Sequence, residues 1–340
     1  MIGALSRRLF PLLQLTRMAL VFTAISNSLA ALLLLARWKA DQEAVPLRSV
    51  LRVEDVVVIA LISVGLYGFG MSLNDLIDRR RDSQLAPHRP LPSGRIGVVT
   101  AHVICVLLGL IAVVGGALYS RWTVNPMSLL LVAWTGVLIA FYDLAGKYLV
   151  APGLLTLGLI RFFHAIIPAP ELPLLWHPLL LLNHVTILSL IAYQWEEKRP
   201  PLTRAHWWAV LGGLATVNLL SVALVWYRRT FLVDDPWTEA LRLEFKLLIP
   251  IACVLGFVAL AVYVRRTVPN WREAGQTLML YGLLWVIVYD VAFVGAFVGA
   301  LPALALLVLL PLAYASVQLM RWWGRLIALS QRPGFKRADA

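Results

Sequence analysis

Charge is what this chain has least of. Only 14% of its 340 residues are Asp, Glu, Lys or Arg, where soluble domains carry about 25%. Hydrophobic residues make up 60% and the mean hydropathy is +0.80. That balance excludes an ordinary soluble fold and points to an all-α, polytopic membrane protein embedded in the lipid bilayer. No linker or low-complexity tract divides it, so residues 1–340 read as one transmembrane domain. Cysteine is nearly absent: Cys105 and Cys253 each lie inside an apolar run, which excludes a disulfide framework or a thiolate metal cage and leaves them as packing residues. Acidic residues are scarce beside basic ones, 18 against 30, for a net charge of +12. In a soluble chain that excess would suggest nucleic acid. In a membrane chain it marks basic loops, and no nucleic-acid partner is expected.

Ten apolar runs follow one another, at about residues 9–36, 53–73, 96–119, 126–142, 149–168, 179–195, 206–227, 245–264, 276–298 and 301–320. The first is too long for a signal-peptide core and has no convincing cleavage site, so it is expected to stay as a span. The break between the last two is so short that one of them is a candidate re-entrant or interfacial helix. Polar residues inside spans usually face a cavity or a partner. Asn27 is a candidate to touch substrate or to hydrogen-bond a neighbouring helix. Arg161 is a candidate to hold a phosphate, or to neutralise a buried carboxylate. His164 lacks metal-spaced companions and reads as structural. Asp290 is a candidate to pair with an interior arginine. Residues 234–244 look amphipathic and suit an outer-surface or lid segment.

The chemistry concentrates in NDLIDRRRDSQLAPHRPLPSGR, Asn74 to Arg95, directly after the second run. On one helix Asn74, Asp75, Asp78 and Asp82 would fall at roughly 0°, 100°, 40° and 80°, a single face carrying three carboxylates and an amide. Clustered carboxylates repel one another and favour a hard divalent cation, and Mg²⁺ typically joins one or two carboxylates to substrate phosphates. Arg79, Arg80, Arg81, Arg89 and Arg95 surround the cluster and offer bidentate hydrogen bonds to phosphate oxygens. The plain alternative is a charged loop capping a membrane helix; the tight NDxxDxxxD spacing favours acid–metal–phosphate chemistry.

NDLIDRRRD followed by RPLPSGRI resembles the first aspartate-rich motif of the UbiA superfamily of intramembrane prenyltransferases. YDLAGK, Tyr142 to Lys147, is similar to the YDxxxK element that follows the fourth helix in part of that family. The resemblance implies a bundle of nine or ten transmembrane helices around a central cavity. It implies Mg²⁺-assisted transfer of a prenyl chain from a prenyl diphosphate to an aromatic or quinone-precursor acceptor. On it, Asn74, Asp75, Asp78 and Asp82 would hold Mg²⁺, Lys147 would contact diphosphate, and Tyr142 and Arg89 would line the substrate. The family's second aspartate motif is replaced here by YQWEEKRPPLTR after the sixth run. Glu196, Glu197, Lys198 and Arg199 are its substrate-binding candidates, with a carboxylate one methylene longer than aspartate.

Three functions fit these residues: a transferase with an acceptor, a cyclase that ionises the same diphosphate without one, and a transporter whose acidic loop binds cations. Polar groups gathered at helix ends, rather than at mid-membrane, argue against the transporter. With the N-terminus inside and ten spans, roughly two thirds of the Lys and Arg fall on the segments that include both acidic loops, which places those loops on the cytoplasmic side.

Overall fold

In the computed structural model, residues 10–172, 174–198, 200–232, 241 and 243–330 are described. Arg199 and most of the 234–244 segment lie outside them. The described residues form helices joined by short loops and turns, with no strand. Nine helical stretches among them are long and apolar enough to cross a membrane, and a tenth, Val150–Ile166, is apolar but shorter.

The helices are α1 (Val21–Gln42), α2 (Val53–Ile77), α3 (Val98–Thr123), α4 (Met127–Leu144), α5 (Val150–Ile166), α6 (Trp176–Trp195), α7 (Arg204–Tyr227), α8 (Leu248–Thr267), α9 (Trp271–Phe297), α10 (Ala300–Leu307) and α11 (Leu309–Ser330). Six form a ring in which each packs on the next: α1, α2, α4, α5, α6 and α9, closing back on α1. The remaining helices sit outside it, α3 behind α2 and α4, α7 behind α5, α8 behind α9, and α10 with α11 against α1 and α9. Burial follows this division. Along α7 only Val210 and Leu214 are buried, whereas α6 buries twelve residues. Exposed Val103, Leu110, Leu219, Leu224, Leu255 and Val258 give the outer helices an apolar surface suited to lipid.

Without a hydrophobic force between helices in lipid, small residues decide how closely backbones approach. A Cβ at Gly65 would lie 2.7 Å from Leu108 O and 2.8 Å from Ala112 N, so α2 and α3 lie together nearly backbone to backbone. Gly299, at φ 140°, occupies a conformation that side-chain-bearing residues rarely adopt. It lets α9 and α10 turn back within two residues. Pro311 lacks the N–H that would bond Leu307 O, which accounts for the interruption between α10 and α11.

The first apolar run does not make one continuous span. Arg17 takes a left-handed conformation, φ 45°, and α1 begins only at Val21. The segment before it folds separately. Its Leu12 and Leu15 pack with Leu76, Leu91 and Ile96 beneath the loop that follows α2. This placement brings Arg17 to the end of α2.

Candidate active site

α2 delivers Asn74 and Asp75 in its last turn, then stops with Asp78 as its C-cap residue. A separate short helix, Arg79–Leu85, carries Asp82. The expected single helical face is therefore broken at Asp78, and the four side chains divide into two groups. Asp75 Oδ1 lies 3.4 Å from Arg17 Nη2 and 3.9 Å from Arg89 Nη1, and the same Arg89 nitrogen reaches Asp82 Oδ2 at 2.5 Å. Asp78 Oδ1 accepts from Lys147 Nζ at 2.8 Å, and Asn74 Nδ2 donates to Asp143 Oδ1 at 2.8 Å. The YDLAGK element is thus bound to the NDLIDRRRD element through two direct contacts. The loop carrying Arg89 is held in place by Arg95, which donates to Gln14 Oε1 at 2.9 Å and His88 O at 2.5 Å. Partial burial pulls the Arg95 guanidinium below its ordinary value, although arginine stays charged.

Among the described residues no three acidic, His or Cys side chains converge into a ready-made metal cage. Each carboxylate instead faces a basic group or an amide. The donor set still suits Mg²⁺. Asp75 and Asp82 reach one guanidinium nitrogen, and a cation shared with a diphosphate needs only one or two carboxylates because phosphate oxygens and water complete its shell.

Of these groups Arg17, Asn74 and Asp143 line a cavity of about 350 Å³ enclosed by the six-helix ring, whereas Asp75, Asp78, Asp82, Arg89 and Lys147 are not on its wall. Arg17, Asn74, Tyr142 and Asp143 lie at its polar end. Leu66, Ile139, Leu157 and Leu283 make its walls, and Tyr67, Arg161 and His164 lie deeper. α1 and α5 meet at depth: Arg161 Nη2 donates to Thr23 Oγ1 at 3.0 Å, and Ser28 Oγ lies 3.3 Å from His164 Nδ1. A second cavity of about 360 Å³ shares Arg17 with the first and is lined by Asp75, Arg89, Arg95 and Arg321 together with Leu280 and Val317.

The model of the UbiA prenyltransferase family matches residues 29–265. The chain belongs to the UbiA prenyltransferase family. No curated protein matches it. Among solved structures it is similar to one described as giving structural and mechanistic insights into digeranylgeranylglyceryl phosphate synthase, at 16% identity and TM-score 0.57, covering 85% of this chain and 99% of that one. It is also similar to a UbiA homologue from Archaeoglobus fulgidus bound to GPP and Mg²⁺, at 14% identity and TM-score 0.52, covering 82% and 99%. At such identities these likenesses speak for the fold.

Not every expected site residue of this UbiA-family chain reaches the cavity. Asn27 is fully buried. With its amide nitrogen donating, it meets Thr23 O at 2.7 Å and Asp290 Oδ2 at 3.1 Å, the helix-to-helix role rather than a place on the cavity wall. Asp290 pairs with His177, Nε2 to Oδ1 2.8 Å, not with an arginine. Glu196 contacts Lys198 at 3.3 Å, Glu197 is exposed at φ 49°, and none of the three lines either large cavity. Arg80 and Arg81 are exposed on the short helix. Three residues enter the site unexpected. Asp143 sits inside YDLAGK and was legible there as its only acid. Arg17 is the only charge in residues 9–36. Tyr67 carried no distinguishing signal.

Proposed function

We propose that the protein is an intramembrane prenyltransferase, a single UbiA-like transmembrane domain that moves a prenyl group from an allylic prenyl diphosphate to an aromatic or quinone-precursor acceptor with the help of Mg²⁺. The observation that carries this reading is the joining of two elements 69 residues apart, Asn74–Asp143 and Asp78–Lys147, the first of these pairs lying on the wall of a cavity inside the helix ring. Family membership supports it, as does the binding of GPP and Mg²⁺ by the archaeal homologue of the same fold.

Asp75, Asp78 and Asp82, with Asn74 beside them, are the residues that would hold Mg²⁺. When bound, the ion supplies Lewis-acid stabilisation of the departing diphosphate. Lys147 and Arg89 now satisfy carboxylates, and both are placed to exchange those partners for phosphate oxygens as the ester C–O bond breaks and its electron pair leaves with the diphosphate. Arg17 adds charge at the same rim. The apolar walls receive the prenyl chain and keep water from the allylic cation. A ring carbon of the acceptor then bonds to the cation and loses its proton. The concentration of Lys and Arg on the loops at this end supports a cytoplasmic orientation for it, where water-soluble Mg²⁺ is available.

Asp75→Asn and Asp78→Asn test the metal role in purified, folded protein. Each should lower prenyl transfer by at least 100-fold, and excess chelator should do the same to the wild type. Substantial turnover in both variants, or in chelator, rules the role out.

A further inference from the structure

Among the described residues that line the second cavity, four are arginines and one, Asp75, is acidic. The arginines come from three places: Arg17 from the segment before α1, Arg89 and Arg95 from the loop after α2, and Arg321 from α11. Asp75 is already met by Arg17 and Arg89, and Arg89 also holds Asp82. Arg95 donates only to neutral atoms, Gln14 Oε1, Ser93 Oγ and His88 O. Arg321 is exposed. Neither Arg95 nor Arg321 forms an ion pair within 4.0 Å among the described residues. Guanidinium is always protonated in proteins, so one side of this cavity carries two positive charges without a carboxylate between them.

The other side is apolar. Leu20, just before α1, Leu280 of α9, and Val317 and Met320 of α11 line it. The cavity also lies where spans leave the bilayer. Arg17 and Leu20 precede α1, Asp75 is in the last turn of α2, and Arg321 stands at the end of the apolar stretch Ala300–Trp322. Trp322, beside it, is 56% exposed, and tryptophan is enriched at that level of a membrane protein. The flanking sequence is basic as well, with Arg7 and Arg8 before and Arg332, Lys336 and Arg337 after, a pattern that attracts anionic lipid. A soluble anion has no use for the apolar side, whereas a bilayer lipid matches both.

The geometry points to the second cavity as a headgroup site for an anionic phospholipid: Arg95 and Arg321 take its phosphate oxygens, and the first carbons of its chains lie against Leu280, Val317 and Met320. Guanidinium suits this task because two of its N–H groups can engage two phosphate oxygens at once, and basic pockets between spans are a recurrent means of recognising lipid headgroups. A volume of about 360 Å³ is within the range of small-molecule sites. The inference goes beyond the transferase reading and holds whatever the acceptor is. Arg17 lines both cavities, so the bound lipid sits one side chain away from the central one.

The test is native mass spectrometry of the full chain in detergent, given equal amounts of phosphatidylglycerol and phosphatidylcholine with the same acyl chains. The wild type should retain one phosphatidylglycerol at least about fivefold in preference to phosphatidylcholine. Arg321→Gln should cut that preference at least about threefold, and Arg321→Lys should keep part of it. Arg266→Gln, at an exposed arginine near the end of α8 and outside the cavity, should leave it unchanged. Neither inorganic phosphate nor a non-hydrolysable prenyl thiodiphosphate, each in about tenfold excess, should displace the lipid. Equal retention of the two lipids by the wild type, or retention of neither, overturns the inference without needing any variant. An equal loss in Arg266→Gln and Arg321→Gln would show diffuse attraction to a basic surface and overturns it too. Displacement by phosphate would make the cavity a site for soluble anions, and displacement by thiodiphosphate would give it to the prenyl donor; either result overturns the lipid site.

Discussion

Removing the lysine of YDLAGK separates a structural role from a chemical one. Lys147 and Asp78 meet at 2.8 Å with side chains only 10% and 13% exposed, so neither is well served by water. Lys147→Met leaves the Asp78 carboxylate without its cation in a poorly solvated place, which typically costs about 3–5 kcal/mol. Adding Asp78→Asn removes the stranded charge. The double variant should then recover part of that loss, about 1–3 kcal/mol of coupling between the two side chains. Activity should follow a different rule. If Lys147 also holds phosphate, its loss removes a charge-assisted hydrogen bond of about 1.5–3 kcal/mol, roughly a 10- to 100-fold drop in kcat/KM. The double variant should regain stability and remain inactive, since it now lacks both the cation and a proposed metal ligand. Thermal unfolding in detergent and prenyl transfer, measured on one preparation of each variant, give both quantities. A double variant no more stable than Lys147→Met, or a Lys147→Met enzyme with unchanged kcat/KM, refutes the reasoning.

Other outcomes follow from particular contacts. Gly65→Val should destabilise the α2–α3 pair by about 1–3 kcal/mol or more, because a Cβ there meets backbone atoms 2.7 and 2.8 Å away; an unchanged melting temperature contradicts that packing. Asn74→Ala should lower turnover at least tenfold by releasing Asp143 from its 2.8 Å hydrogen bond, whereas Asn74→Asp should do worse still by setting two carboxylates against each other; equal activity in all three proteins would show that the contact is idle. Ser83→Cys, at an exposed position on the short helix, should react with a membrane-impermeant maleimide in inside-out vesicles and not in intact cells, and labelling of intact cells would reverse the proposed orientation.

The parts legible in the sequence were those with a short-range signal. Runs of apolar residues marked ten helical segments because lipid demands that backbone groups be satisfied within each span. The NDxxDxxxD spacing and YDLAGK marked residues that the fold brings into contact, Asn74 with Asp143 and Asp78 with Lys147, because each motif is contiguous in the chain. What sequence missed was set by tertiary geometry. A uniform helical angle put Asn74, Asp75, Asp78 and Asp82 on one face, but α2 stops at Asp78, and contacts from Arg17, Arg89, Asp143 and Lys147 then divide them. Residues 9–36 read as one span because hydropathy carries no record of the left-handed turn at Arg17. Asp290 was matched to an arginine on charge alone, whereas His177, 113 positions earlier, lies beside it in space. The Glu196–Glu197 loop occupied the right place in the chain, yet neither side chain lines a large cavity.

Acceptor dependence of diphosphate release tests the central claim most directly. Purified protein with Mg²⁺ is given farnesyl, geranylgeranyl or longer prenyl diphosphates, with and without a panel of phenolic and quinone-precursor acids, and both diphosphate and products are quantified. A transferase holds the second reactant within bonding distance, which can lower the barrier by several kcal/mol. Release should therefore rise at least tenfold with one class of acceptor, the prenyl chain should appear on that acceptor in equal amount, and chelator should abolish both. Rapid diphosphate release without any acceptor, accompanied by a cyclised hydrocarbon or terpene alcohol, would contradict the account.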